Sequence, residues 1–338
     1  MTGITLCPNA VNVLRRLGVG DAVEAVAAVH SEGGLRTWRG NRLVDAALGP
    51  FSAHFGATPL IVLHRASLQA VLRGALDPHK LQLSAECSAV DQDAKRATVK
   101  LADGRFEQAD FVIGADGLNS TVRAVAFGKE APRYSGYTAW RGIVPLDDAL
   151  ASRICPAESW GRGALFGITR LGGSQVFWYA SARVGEGTGG SASEEKAELL
   201  RRFGRWHDPI PALIDATAVE AILRTCLYDR PPLARWSAGR IALLGDAAHP
   251  MLPNLGQGAC EAIEDAAVLA CELGRTPDVE WALEAYGRRR QERTAMLARR
   301  SRQVARIAHL RSPLAVGLRN ALLRAPPAEA FLGRLPVT

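Results

Sequence analysis

Apolar positions along this chain repeat at two different spacings, and each change of spacing marks an element. Residues 241–244, Ile-Ala-Leu-Leu, are an apolar run of the length expected for a strand buried on both faces. Gly245 and Asp246 end it, a loop with Pro250, Pro253, Asn254, Gly256 and Gly258 follows, and from about Ala259 the apolar residues Ile263, Ala266, Ala267 and Ala270 fall at helical spacing. A second strand, turn and helix lie upstream: Phe111, Val112 and Ile113 read as a buried strand, Gly114 and Gly117 permit tight turning, and Asn119 or Ser120 caps the helix that Val122 begins. Near the start, Val11, Leu14 and Leu17 predict a helix behind an Asn9 cap, stopped by Gly18. Further helices are predicted over 66–76, 194–203, 212–216 and 281–309, with a last helical pair over 314–332.

Short strands are expected at 35–44 and 60–63, an antiparallel pair at 81–83 and 97–101, and a returning strand at 219–227. The composition shifts at 134–145 and 164–182, which are rich in aromatic and β-branched residues, with a hairpin signal at Gly172-Gly173. Alternation puts Tyr137, Ala139 and Arg141 on one side of a strand, and sets Phe177 and Tyr179 against Val176, Trp178 and Ala180. One face must pack on a helix; the other is free to face a ligand.

Each strand, glycine-rich turn and helix aims backbone N–H groups and the positive end of a helix dipole at one point, a place for an anion. An ordinary connection is the commoner reading of any single such loop. Here the loop is long, Asp246 stands at the strand end, and Gly256, Gln257 and Gly258 sit where the helix begins, which argues for a ligand.

Composition narrows the classes. A 338-residue chain with 48% hydrophobic and 22% charged residues is that of a soluble globular protein. Its net charge of +7 comes largely from arginines between 288 and 306, read as a solvated helix face sooner than a nucleic-acid patch. The six cysteines show no CxxC spacing, which suggests free thiols and a reducing cytoplasm. No apolar run approaches the roughly eighteen residues of a membrane span, and no leader pattern suggests export. Neither a GxSxG elbow nor a HExxH stretch is present, so neither an α/β-hydrolase nor a metal site is expected.

Residues 245–266, GDAAHPMLPNLGQGACEAIEDA, resemble the pattern GDAAHxxxPxxGQGxxxxxxDA of the FAD-dependent aromatic hydroxylases and epoxidases, the single-component (class A) flavoprotein monooxygenases. Residues 114–123 resemble that family's GADGxxSxVR, residues 64–72 its HRxxLxxxL, and residues 3–21 its GISLxPNAxxxLxxLGLGD. The resemblance implies that Asp246 binds the ribityl chain of FAD, and that Pro253, Gly256, Gln257 and Gly258 lie along the isoalloxazine ring. It implies that Arg65 reaches the flavin near its ribityl phosphate, with Gln69 a weaker contact, and that Asp116 and Arg123 serve FAD and NAD(P)H. It makes the aromatic sheet the substrate platform, with Tyr137, Arg141, Phe166 and Trp178 as pocket candidates against the alternative that such a stripe is core. Tyr286, Arg290 and Arg293 would fasten the long helix to its domain.

The implied fold is α/β: a Rossmann-like FAD/NAD(P)-binding domain with an inserted, mostly antiparallel β-sheet substrate domain and C-terminal helices. Its expected divisions are 1–133 and 229–310 for the FAD domain, 134–228 for the substrate domain and 311–338 for a helical tail. The family's opening GxGxxG unit has no counterpart, since Gly18-Val19-Gly20 is only a helix-ending turn. A start placed too far downstream, a trimmed chain or a true loss would each account for that, with weak stability and weak FAD binding expected of the chain as written. The implied activity is that of a cytoplasmic monooxygenase, monomer or homodimer, using FAD, NADPH or NADH, and O2. It would hydroxylate or epoxidise a small aromatic or unsaturated substrate through a flavin C4a-hydroperoxide. A remnant unable to retain FAD, or a flavin dehydrogenase or halogenase on the same fold, are the alternatives. No catalytic base is identified: His249 lies inside the motif, where a structural role is at least as good a reading, and His54 and His64 have no stronger claim.

Overall fold

The computed structural model describes residues 2–30, 32–47, 58–146, 150 and 153–325; His54 and the end of the expected last helical pair lie outside them. The chain forms two compact units, one of residues 1–73, 136–227 and 305–338, the other of residues 74–135 and 228–304. The block expected over 1–133 is therefore divided. Its first 73 residues belong with the aromatic sheet, for the reason that two of their strands are hydrogen-bonded into it.

In chain order, β1 (Gly3–Leu6) leads to α1 (Pro8–Arg16), α2 (Gly20–Glu24), β2 (Ala27–His30), β3 (Glu32–Thr37), β4 (Arg42–Ala47), β5 (Leu60–His64) and α3 (Arg65–Gly74). Cys7, not Asn9, is the N-cap of α1, because Pro8 takes the first helical position, where a missing N–H leaves nothing unsatisfied. The second unit then opens with β6 (Cys87–Gln92), β7 (Ala97–Leu101) and β8 (Phe106–Ala109), an antiparallel sheet in that order. The strand expected at 81–83 is absent: β7 pairs with β6, which supplies the buried Val90, whereas Leu81 and Leu83 are exposed.

After β9 (Val112–Gly114) and α4 (Thr121–Phe127) come β10 (Arg133–Pro145), β11 (Ala157–Trp160), β12 (Ala164–Leu171) and β13 (Gln175–Arg183). Then follow α5 (Ala192–Phe203), α6 (Ile210–Ala216), β14 (Leu223–Asp229), β15 (Ser237–Ala238), β16 (Ile241–Leu243), α7 (Gly258–Leu273), α8 (Val279–Ala308) and α9 (Pro313–Arg324).

The first unit is built on a seven-stranded sheet ordered β14-β10-β13-β12-β11-β3-β4, mostly antiparallel, with β11 and β3 parallel. One face carries Trp140, Phe166, Ile168, Trp178 and Ala180, which pack on Leu199 and Phe203 of α5 and on Leu213 and Ile214 of α6. A capping box between Ser191 and Glu194 starts α5. Two pocket candidates are thereby corrected. Phe166 and Trp178 are fully buried on the helix-covered face, stacked at 5.4 Å, because apolar rings of that size are what fills the space between sheet and helices.

The opposite face is covered at its two ends. At one end the β1-β5-β2 sheet lies against it, with Val62 in contact with Leu171 and Phe177; Gly3 approaches so closely that a Cβ there would stand 2.6 Å from the Phe177 ring. At the other end His309, just past α8, stacks on Tyr137 at 4.2 Å and bonds Ser181 Oγ through Nε2 at 2.8 Å, while the Arg319 guanidinium of α9 lies over Trp160. Tyr137, a pocket candidate on the same face as Arg141, is held between His309 and Arg183 and is 7% exposed.

Burial lowers the His309 pKa to about 4, against a hydrogen bond donated by Nδ1 to Ala305 O and the bond with Ser181, which work the other way. Its unfolded value is near 6.5, so below that pH the unfolded chain binds more protons and stability falls until about pH 4; above 6.5 this group contributes no slope. Thermal melts of the wild type and of His309→Asn across that window should show a shallower acid dependence in the variant.

Candidate functional site

The second unit holds the two strand-turn-helix corners. Strands β9 and β16 run parallel, with Leu243 level with Gly114, and the Leu244 N–H donates to Gly114 O at 2.9 Å. Both chains therefore leave the sheet at the same end, two residues before Asp116 on one side and three before Asp246 on the other. The carboxyl ends of adjacent parallel strands are where open α/β sheets bind ligands.

Each corner is tied by its own residues. Asp116 accepts from Ser120 Oγ at 2.5 Å and from the Val122 N–H at 3.1 Å, and Ser120 caps α4 by accepting from the Arg123 N–H. Gly117 turns the chain at φ +78°. Arg230, which sequence reasoning passed over, donates to Leu118 O and Glu130 O and pins the same loop from outside.

Arg123 departs from the expectation that it offers its charge to FAD and NAD(P)H. Its guanidinium is 2% exposed, and Nη1 donates at 3.0 Å to the carbonyls of both Ala247 and Ala248. Those two oxygens end the other corner, so Arg123 joins the corners together. Burial and the nearby charge of Arg230 lower its pKa, though a guanidinium keeps its proton throughout.

Past β16, Gly245 takes φ +61° and Asp246 is exposed in a short 3₁₀ turn. Pro253 opens a second 3₁₀ turn, Gly256 closes it in the left-handed conformation, and Ser301 Oγ holds its start by donating to Leu252 O. Helix α7 then begins at Gly258. Its N-cap is the buried Gln257, and the first-turn N–H groups face the same side as the turn after β16. Asp246 Oδ1 lies 4.0 Å from where a Cβ on Gly258 would be, so the carboxylate stands at the helix N-terminus. An exposed carboxylate suited to hydroxyl groups, at the N-terminal end of a helix dipole suited to an electron-rich ring edge, is a set that fits a flavin.

Beneath this loop is an ionic network of which only the arginine side was anticipated. Asp265, fully buried on α7, accepts from the Gly245 N–H at 3.1 Å and from His249 Nε2 at 2.6 Å through Oδ2, and from Arg290 Nε at 2.7 Å through Oδ1. Arg290 also donates to Glu264 and Glu261, and Arg293 to Glu261. Tyr286 Oη donates to Leu243 O at 3.1 Å. Burial works to raise the Asp265 pKa, but the bond and charge of His249 and the charge of Arg290 outweigh it and hold the carboxyl below its usual range. His249 also stacks on Trp236, which gives it a structural place under the loop.

Arg65, at the start of α3, and Arg141, on β10, belong to the first unit. Arg141 is half-buried, with Thr225 Oγ1 at 3.4 Å; burial, then the like charge of Arg65, lower its pKa. Gln69 is exposed on α3. Among the described residues no group of three or more His, Cys, Asp and Glu is arranged to hold a metal, and no helix is long and apolar enough to cross a membrane.

Comparison with known proteins gives this geometry a context. Residues 2–301 match the model of a family described as FAD binding domain. The chain is 40% identical over 322 residues to the aurachin C monooxygenase/isomerase of Stigmatella aurantiaca, covering 95% of this chain and 83% of that protein. It is 35% identical over 308 residues to the 6-hydroxynicotinate 3-monooxygenase of Bordetella bronchiseptica, covering 88% and 79%. Among solved structures, that of Klebsiella pneumoniae HpxO complexed with FAD and uric acid superposes with a TM-score of 0.92 at 29% identity, covering 98% of this chain and 86% of that one.

Proposed function

The chain belongs to the FAD-dependent monooxygenases of the FAD-binding-domain family, and from that premise we propose that it uses NAD(P)H and O2 to hydroxylate or epoxidise a small aromatic or unsaturated ring compound. A bound FAD would supply hydride acceptance from the nicotinamide and activation of O2 for transfer of one oxygen atom to the substrate. The observation that carries this reading is the level pair of parallel strand ends, with Asp246 at the N-terminus of α7. Asp246 would accept hydrogen bonds from the ribityl hydroxyls, and the loop through Pro253, Gly256, Gln257 and Gly258 would lie along the ring. The α7 dipole would favour negative charge on the reduced ring. Asp116 and Arg123 would keep the two corners in register and so hold the cofactor cleft open at its proper width.

Relatives whose names specify urate, 6-hydroxynicotinate or 3-amino-4-hydroxybenzoate act on flat, oxygen-bearing rings, and the half-buried Arg141 is suited to anchor the anionic or carbonyl edge of such a compound. Two measurements test the reading. The purified chain, incubated with excess FAD and desalted, should keep flavin absorbance and consume O2 with NADH or NADPH in the presence of a substrate ring. Absence of flavin bands defeats it, and turnover without O2 or dependence on halide moves the chain to a dehydrogenase or halogenase. Arg141→Ala should weaken binding of carboxylate-bearing aromatics about tenfold, in keeping with loss of a charged hydrogen bond. Unchanged affinity for all of them removes Arg141 from the site.

A further inference from the structure

The centre of the seven-stranded sheet's second face carries one row of side chains, and its chemistry is more specific than an apolar wall. Arg141 on β10 is the register partner of Tyr179 on β13, Tyr179 of Gly167 on β12, and Gly167 of Glu158 on β11. The row lies between the part of that face under the β1-β5-β2 sheet and the part under His309 and α9. Arg141, Tyr179 and Glu158 are each half-buried there.

Tyr179 reaches across a strand to touch Glu158. A Cβ on Gly167 would stand 2.1 Å from the Tyr179 Cζ, so only glycine lets the ring lie flat over β12. The Tyr179 hydroxyl donates to Glu158 Oε2 at 2.8 Å, and Trp160 Nε1 donates to Glu158 Oε1 at 2.5 Å. An indole N–H can only donate and a carboxylate can only accept. The one proton on the Tyr179 oxygen is therefore committed to Glu158, and what the phenol offers outward is a lone pair. Arg141, at the far end of the row, has only donors. A flat aromatic platform separates the two, suited to stacking against another ring.

We propose that Glu158 sets the hydrogen-bonding polarity of Tyr179, so that this row selects flat ring compounds bearing an anionic or carbonyl oxygen at one edge and an N–H or O–H donor at another. The inference rests on the reading that this sheet face receives the substrate, and it adds which substrates fit. Burial raises the pKa of both Glu158 and Tyr179, Glu158 doing so further for Tyr179, which keeps the phenol protonated. Arg65 adds positive charge near Arg141, and Arg319 lies over Trp160.

The variant Glu158→Gln makes the inference testable. Its single carbonyl oxygen must face the Trp160 N–H, so its NH2 faces Tyr179 and donates to the phenol oxygen, turning the Tyr179 proton outward. Two probes of similar shape read the change: 4-aminobenzoate, whose substituent donates, and 4-formylbenzoate, whose substituent only accepts. In mildly alkaline buffer, where the carboxylate form of Glu158 is favoured, the wild-type chain should bind 4-aminobenzoate roughly tenfold more tightly by calorimetry or saturation-transfer NMR. Glu158→Gln should reverse that order, and Tyr179→Phe, which keeps the ring and removes the oxygen, should abolish the preference in either direction. No preference in the wild type, or the same preference in Glu158→Gln, overturns the proposal. Should Glu158→Gln fail to fold, the Tyr179→Phe comparison decides alone. Flavin uptake and NAD(P)H-dependent O2 consumption are followed on the same preparations. A chain that consumes O2 yet ignores the substituent defeats this inference and leaves the function standing; one that discriminates but never uses O2 does the reverse.

Discussion

Asp265→Ala is expected to lower the folding free energy by about 3–5 kcal/mol, the cost of removing one partner from a buried ion pair. The side chain contacts neither solvent nor the proposed flavin position, and its loss leaves three groups short of an acceptor: the Gly245 N–H, His249 Nε2 and Arg290 Nε. Arg290 keeps Glu261 and Glu264, so the long helix should stay docked while the loop after β16 loses its support. Urea denaturation of the flavin-free chain measures the loss. Asp265→Asn, which retains an acceptor for the Gly245 N–H, should be milder; a fall below about 1 kcal/mol for the alanine variant would show that the network is not what holds the loop.

Asp246→Ala should leave stability nearly unchanged and instead weaken FAD retention by about ten- to a hundredfold, the range for charged hydrogen bonds lost from a bound ligand. The contrast follows from position. Asp246 is exposed at the tip of its turn, whereas Asp265 is enclosed below it. Titration of each variant with FAD, followed by quenching of flavin fluorescence, separates the two effects. Wild-type affinity in Asp246→Ala would remove that carboxylate from the cofactor site.

The elements themselves were largely legible, because buried strands such as β16 and β9 are short apolar runs bounded by glycine, and because α8 keeps helical spacing over many turns. The faces were less so. In α7 the spacing of Ile263, Ala266, Ala267 and Ala270 predicts the helix correctly but not its inward side; Ala266 and Ala270 are exposed, and Glu261, Asp265 and Glu272 are buried. Periodicity counts apolar residues, and this interface is held by charge complementarity with Arg289, Arg290 and Arg293. The arginines over 288–306 were read mainly as a solvated face, but Arg290, expected to fasten the helix, is 5% exposed and does so. The aromatic strands failed in a related way: alternation separates Trp178 from Tyr179 but does not say which side the helices cover. Glu158 gave no signal at all, since its partner is 21 positions away and meets it across an intervening strand that is passable only at Gly167.

The interleaving of the two units limits how the molecule can be taken apart. Neither unit is one continuous length of polypeptide, and β10, β14 and α8 each run from one into the other. A fragment ending anywhere between β10 and α8 would deprive both units of residues they need, so neither unit can be isolated as a separate minimal piece. Dissection of this protein has to proceed by point substitution within the intact chain.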